Sequence, residues 1–103
     1  MRYMGLDVGD RTVGIAISDP FMMTAQGHDN YRRVENANDD IKYLLSLIKE
    51  YEVSKIIVGL PLNMNGSEGP QVEKTREFIK KLSKKLNYST DLKDKNIEVV
   101  FWD

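Results

Sequence analysis

Residues 55–62 read KIIVGLPL. The consecutive β-branched side chains Ile56, Ile57 and Val58, closed off by Gly59 and Pro61, are the pattern of a strand buried on both faces. A helical repeat stands on each side of that strand. Before it, following the cap-rich NANDD segment, Ile41, Leu44, Leu45 and Ile48 recur at i, i+3, i+4, i+7 and predict a helix ending near Tyr51. After it, Pro70 sits where a first helical turn tolerates proline, and Val72, Thr75, Ile79, Leu82 and Leu86 stripe one face of a second helix. The polar stretch 87–96 reads as a loop, and IEVVFWD at 97–103 as a last strand. Strands separated by helices pair in parallel through right-handed crossovers, so the expected class is α/β.

The first third of the chain adds a hairpin. Met1–Val8 and Thr12–Ser18 are short β-favouring runs separated by GDR, a turn in which Gly9 is free to take positive φ. Val13, Ile15 and Ile17 fall on one face of the second strand. Gly14, Ala16 and Ser18 fall on the other, small enough for another element to pack closely. Pro20 ends the strand, and the poorly patterned stretch from Thr24 to Arg33 is expected to be a weak third strand at an edge. The order βββαβαβ implies one mixed sheet flanked by helices, and 103 residues make one domain, 1–103, with no internal repeat.

No apolar run approaches the ~20 residues of a membrane span. Cysteine is absent and the N-terminus lacks a secretory leader, so a cytoplasmic location is expected. The formal net charge of −1 excludes a protein coated in positive charge, yet leaves room for a local basic patch.

Within the hydrophobic first strand, Asp7 stands between Leu6 and Val8. A carboxylate in a low-dielectric interior costs several kcal/mol unless something compensates, and a cation would. In sheets of this class chemistry gathers beyond the carboxyl ends of the parallel strands, where Asp7, the segment Gly59–Asn63 and Asp103 would arrive together. Paired carboxylates suit Mg²⁺ or Mn²⁺, and two such ions can drive hydrolysis of a phosphodiester. Plainer readings stand beside each residue. Asp7 could cap the next turn through the amides of Gly9 or Asp10, and Asp103 could be a solvated terminal carboxylate. Gly59, Pro61, Asn63, Gly66 and Glu68 could be ordinary residues of a strand-to-helix loop, although that loop feeds a helix N-terminus, which attracts phosphate. Arg11, Arg32, Arg33, Arg76 and the run Lys80, Lys81, Lys84, Lys85 could grip phosphates or face solvent. His28 reads as an exposed histidine, Phe101 and Trp102 as core residues, and Met22 and Met23 as loop or gap fillers.

GLDVGDRTVGIAISDP, IIVGLPLNMNGSEGPQ and VVFWD together resemble the YqgF/RuvX family of ribonuclease H-like bacterial proteins, over essentially the whole chain. The first motif is also similar to the phosphate hairpin of the actin and sugar-kinase ATPases. The second is not, and the chain has no room for that group's second hairpin and adenosine loop. The resemblance implies a ribonuclease H-like fold and a cytoplasmic metal-dependent nuclease that trims the precursor of small-subunit ribosomal RNA, with resolution of Holliday junctions in branched DNA as the activity considered for related members. It implies that Asp7 is a divalent-metal ligand and catalytic residue, with Asp103 matching the first letter of the family's Asp-Glu-Arg motif. Gly9, Arg11, Thr12, Gly59, Pro61, Leu62, Asn63, Gly66 and Glu68 are then the candidate substrate-binding residues. The family's C-terminal helix, with a further acidic ligand, has no counterpart here. Two consequences are expected: the nuclease activity of this form is in doubt, with a non-catalytic nucleic-acid-binding domain as the alternative, and the apolar surface left on the sheet is hidden by association with a partner chain, such as a second copy, or by a rearrangement.

Overall fold

A computed structural model describes residues 2–18 and 25–102, giving the backbone alone for 25–29. Strands β1 (Arg2–Val8), β2 (Thr12–Ser18) and β3 (Ala25–Arg32) are followed by helix α1 (Ala37–Glu50), strand β4 (Val53–Gly59), helix α2 (Pro70–Tyr88), a 3₁₀ turn at Lys93–Lys95, and strand β5 (Glu98–Trp102). The five strands form one sheet in the order β3-β2-β1-β4-β5. β1 pairs antiparallel with β2 and parallel with β4, while β3 and β5 are the edges. The expected mixed α/β sheet is therefore present, with the weak third strand at an edge. Pro20, Met22, Met23 and Asp103 lie outside the described residues, as does the side chain of His28.

The core sits on one face of the sheet. Met4, Leu6 and Val8 of β1, Val13, Ile15 and Ile17 of β2, and Ile56 and Val58 of β4 point to it. They meet Ile41, Leu44, Leu47 and Ile48 of α1 and Phe78, Ile79, Leu82 and Leu86 of α2. Both helices thus cover the same face. The reason is the period of two in β1 and β2, which places every large apolar side chain on one side. Helix α1 starts where Asn36 caps it, its side chain accepting from the Asn38 amide at 2.9 Å, and α2 starts on Pro70 after Gly69.

Four expectations are corrected here. β4 is buried on one face only, because Ile57 looks out on the side that carries no helix among the described residues. Asp7 is exposed on that same open side, so the carboxylate never enters the apolar interior. Gly9 does not have positive φ; its amide donates to the Thr12 carbonyl at 2.8 Å, and a Cβ there would lie 3.0 Å from that oxygen, so space, not handedness, calls for glycine. The stretch 87–96 is only partly loop: α2 runs through Tyr88, Leu92 is buried, and Asn96 closes the 3₁₀ turn in the left-handed region. Among the described residues no helix is long and apolar enough to cross a membrane.

One polar cluster is folded into this core. Asp40, in the first turn of α1, is fully buried. It accepts from Arg33 Nε at 2.9 Å and from the Val34 amide at 3.0 Å. Tyr31 of β3 stacks on Tyr43 of α1 at 4.4 Å between ring centroids. Burial there, together with its hydrogen bond to the Asp40 carboxylate, pushes the Tyr31 phenol above the ordinary tyrosine value of about 10. A raised value in the folded state means that folding favours the neutral phenol. The resulting stabilisation is complete below about pH 10 and is lost as pH rises through the value of the folded state. Urea unfolding at pH 9 and pH 11 should show wild-type stability falling more steeply than that of Tyr31→Phe, and equal declines would remove Tyr31 from the alkaline transition.

Candidate active site on the open sheet face

Asp7 is the last outward-facing residue of β1, directly opposite Gly14 of β2 in the antiparallel register. Because position 14 is glycine, nothing stands beside the Asp7 side chain on that strand; a Cβ there would come within 3.5 Å of the Asp7 Cβ. Gly5, Asp7, Gly14, Ala16, Ile57 and Gly59 line an open groove of ≈ 500 Å³, with Asn30 of β3 and Trp102 of β5 at its sides. Small residues in the middle strands make the floor, and longer ones near the edges make the walls. The small face of β2 is thus free in the described residues, where close packing of another element was expected.

The turn after Asp7 is held from three directions. The Gln71 Nε2 donates to the Val8 carbonyl at 3.3 Å, Arg33 Nη1 to the Gly9 carbonyl at 2.9 Å, and Lys74 Nζ reaches the Asp10 carboxylate at 3.3 Å. The Gly9 amide is engaged by Thr12, so it is not the capping partner that Asp7 would need. Arg11 and Thr12 are exposed at the end of β2, and Arg32, paired with Thr12 across β3, is exposed beside them.

The loop from Leu60 to Gly69 is shaped by its own polar groups. The Asn63 amide donates to the Ser67 carbonyl at 2.9 Å and the Gly66 amide to the Asn63 carbonyl at 2.8 Å. Asn63 Nδ2 also donates to Ser67 Oγ, and Asn65 Oδ1 accepts from the Ser67 amide. Gly66 has φ of 82°, the left-handed region that favours glycine. Pro61 and Leu62 are half-buried. Glu68 is engaged by Arg76 at 3.1 Å, and the Arg76 guanidinium lies 5.1 Å from the centre of the Phe101 ring. Of the sequence candidates, the fold therefore brings Asp7 and Gly59 into one groove and sets Gly9, Arg11 and Thr12 in the adjoining turn. Asn63 and Gly66 make hydrogen bonds within the loop, and Glu68 pairs with Arg76.

The arginines divide. Arg11 and Arg32 remain exposed cations, whereas Arg33 and Arg76 are committed to Asp40 and Glu68. Lys80, Lys81, Lys84 and Lys85 are exposed on α2, on the helical side of the sheet and hence on the side away from Asp7. Asn30 and Trp102, which line the groove, had no assigned role in the sequence. Period-two counting from Gly14 through the β2–β3 pairing would have placed Asn30 there. Trp102 is 71% exposed, against the expectation of a core residue, because β5 is an edge strand and its outward face is open.

A metal must be judged against these donors. Asp7 offers hard carboxylate oxygens to a groove with room for water, which fits Mg²⁺ or Mn²⁺ held by one protein carboxylate, waters and substrate phosphates. Among the described residues no group of three His, Cys, Asp or Glu side chains comes together to hold a metal ion, so a fully protein-lined two-ion cage is not assembled by them.

Comparison with known proteins agrees with this architecture. A family model described as "RuvX: Holliday junction resolvase" matches residues 1–103. A Clostridium tetani protein named "Putative pre-16S rRNA nuclease" is 48% identical over 103 residues, covering 100% of this chain and 67% of that protein. A Halothermothrix orenii protein of the same name is 48% identical over 100 residues, covering 97% and 71%. Thermus thermophilus RuvC, solved in complex with a Holliday junction substrate, superposes with a TM-score of 0.64 at 10% identity, over 99% of this chain and 64% of that one. At that identity the match shows the fold alone: a ribonuclease H-like sheet. The chain spans about two-thirds of the length of these relatives.

The loop geometry carries its own prediction. An alanine at position 66 would meet no atom within 4 Å, so its only penalty is the left-handed backbone. Gly66→Ala should cost about 1 kcal/mol, and Gly66→Asn less, in denaturant unfolding; equal stabilities for alanine and glycine would show that the turn does not enforce this conformation.

Proposed function

We propose, from the premise that this chain belongs to the RuvX family, that it acts in a cytoplasmic endonuclease that hydrolyses phosphodiesters in structured nucleic acid with Mg²⁺ or Mn²⁺, the precursor of 16S ribosomal RNA being the favoured substrate. The single observation that carries the reading is the position of Asp7: an exposed carboxylate at the carboxyl end of the central strand, above a floor of Gly5, Gly14 and Gly59. A nucleic-acid backbone needs close approach, and glycines under the carboxylate leave that space.

A divalent ion bound there would supply positive charge to a phosphate and lower the proton affinity of a bound water. Asp7 is the residue that would hold it, with Asp103 the second ligand expected from the sequence. The remaining steps belong to the chain's own groups. The exposed guanidinium of Arg11 and the hydroxyl of Thr12, at the mouth of the groove, contact substrate phosphates and fix the register of the strand being cut. Arg32 extends that line along β3. Gly59 leaves the floor open, and the loop through Pro61, Leu62, Asn63, Gly66 and Glu68, held by its own hydrogen bonds and by the Glu68–Arg76 pair, is the candidate for contacts to substrate beyond that floor. The lysines of α2 lie on the opposite layer, so they serve the flanks of a large substrate rather than the scissile phosphate.

The name of the curated relatives favours pre-rRNA, and the junction-bound RuvC structure keeps branched DNA as the competing substrate. Labelled pre-16S RNA and a four-way DNA junction, each incubated with Mn²⁺, separate the two. The expected outcome is cleavage of the RNA that Asp7→Asn reduces by at least two orders of magnitude while binding persists. Equal rates for wild type and Asp7→Asn would remove Asp7 from the chemistry. Binding without cleavage by either protein would support a non-catalytic nucleic-acid-binding domain. Arg11→Ala should weaken binding and reduce the slope of log K against log salt by about 1.

A further inference from the structure

Arg33 makes more directed contacts within the protein than any other cation among those described above. Its Nε donates to Asp40 Oδ2 at 2.9 Å and its Nη1 to the Gly9 carbonyl at 2.9 Å, while its guanidinium lies 4.8 Å from the centre of the Phe78 ring of α2. Its backbone amide donates to the Arg11 carbonyl at 2.8 Å. One residue therefore grips the Gly9-Asp10-Arg11 turn at both ends, and that turn begins two residues after Asp7. Asp40 is fully buried and its other oxygen is taken by the Val34 amide, so the carboxylate that orients Arg33 has nowhere else to turn.

We propose that Arg33, oriented by Asp40, is a positioning residue for Asp7: it holds the turn that sets where the Asp7 carboxylate sits in the groove. The reading rests on the assignment of Asp7 to the nuclease site. Arginine suits the task for a geometric reason. Its planar fork presents Nε and Nη1 in fixed directions, so one side chain satisfies a buried carboxylate and a main-chain carbonyl at once. A lysine ammonium at that place keeps the charge opposite Asp40 but carries no second fixed donor. The neighbouring tethers are weaker. The Gln71 contact is long, and the Lys74–Asp10 pair is exposed at both ends, where ion pairs contribute little. Catalytic groups need placement within a fraction of an ångström, and a small shift in a supporting loop is enough to slow the chemistry.

Two variants test the proposal. Arg33→Lys keeps the charge pair. The double variant Arg33→Met with Asp40→Leu removes both charges together, which spares the fold an unpaired buried carboxylate. Amide hydrogen exchange reads the turn directly, because the Gly9 amide is bonded to Thr12 within it, and the Leu6 amide in the centre of the sheet reports whether the fold is intact. In both variants the Gly9 amide should exchange roughly tenfold faster with Leu6 unchanged. Line broadening by Mn²⁺ alone at residues 7–9 should need severalfold more metal, and kcat for RNA cleavage should fall about tenfold with KM little changed. Wild-type exchange at Gly9 in a variant whose Leu6 amide stays protected would overturn the proposal. So would faster exchange accompanied by wild-type Mn²⁺ broadening and wild-type kcat. If Mn²⁺ fails to broaden residues 7–9 in the wild type itself, the metal assignment fails, and the Gly9 exchange still decides whether Arg33 holds the turn.

Discussion

The strict alternation of β1, the central strand, is the constraint from which the rest of the molecule follows. Met4, Leu6 and Val8 point to one side and are buried under α1 and α2; Gly5 and Asp7 point to the other. Since both crossover helices bury their apolar stripes against the same side, the opposite side of β1, β2 and β4 keeps, among the described residues, an open floor of glycine and alanine beside Ile57. The core and the groove are two faces of a single pattern with a period of two residues. A one-residue slip in the β1 register would bury the carboxylate and expose three core side chains.

The second organising feature is polar. Asp40 has no access to water, and a buried carboxylate is tolerated only with partners of good geometry, which Arg33 and the Val34 amide provide. Such a pair adds little net stability, because desolvation consumes most of the Coulombic gain. What it does add is direction. Arg33 ties the end of β3, the start of α1, the Phe78 face of α2 and the β1–β2 turn into one assembly. The groove thus has a soft wall of exposed residues and a hard support behind the turn.

Charge is distributed in keeping with a polyanionic partner despite a formal net charge of −1. Arg11 and Arg32 are exposed along the open side with no ion-pair partner among the described residues, while Arg33 and Arg76 are neutralised within the fold by Asp40 and Glu68. Which arginines remain available is the quantity that matters for association with nucleic acid, since partners respond to the local field and not to the sum.

Element order, the α/β class, the edge position of β3 and nearly the whole core were legible in the sequence, because periods of 2 and 3.6 are local properties that a chain displays before it folds. The motifs around Asp7 and Gly59 were legible too, and they led to the right family. The layer arrangement was not. Ile56-Ile57-Val58 suggests burial on both faces, yet Ile57 faces the open groove, since an apolar run cannot say whether a second layer is there to cover it. Asp7 looked like a buried charge for the same reason. Arg33 and Arg76 were indistinguishable from Arg11 and Arg32 as letters, and only the fold brought Asp40 and Glu68 to the first two. Sequence fixes what each residue can do chemically; long-range packing, which joins residues as far apart as Asp10 and Lys74, decides which of those capacities is used inside the molecule and which is left facing outward.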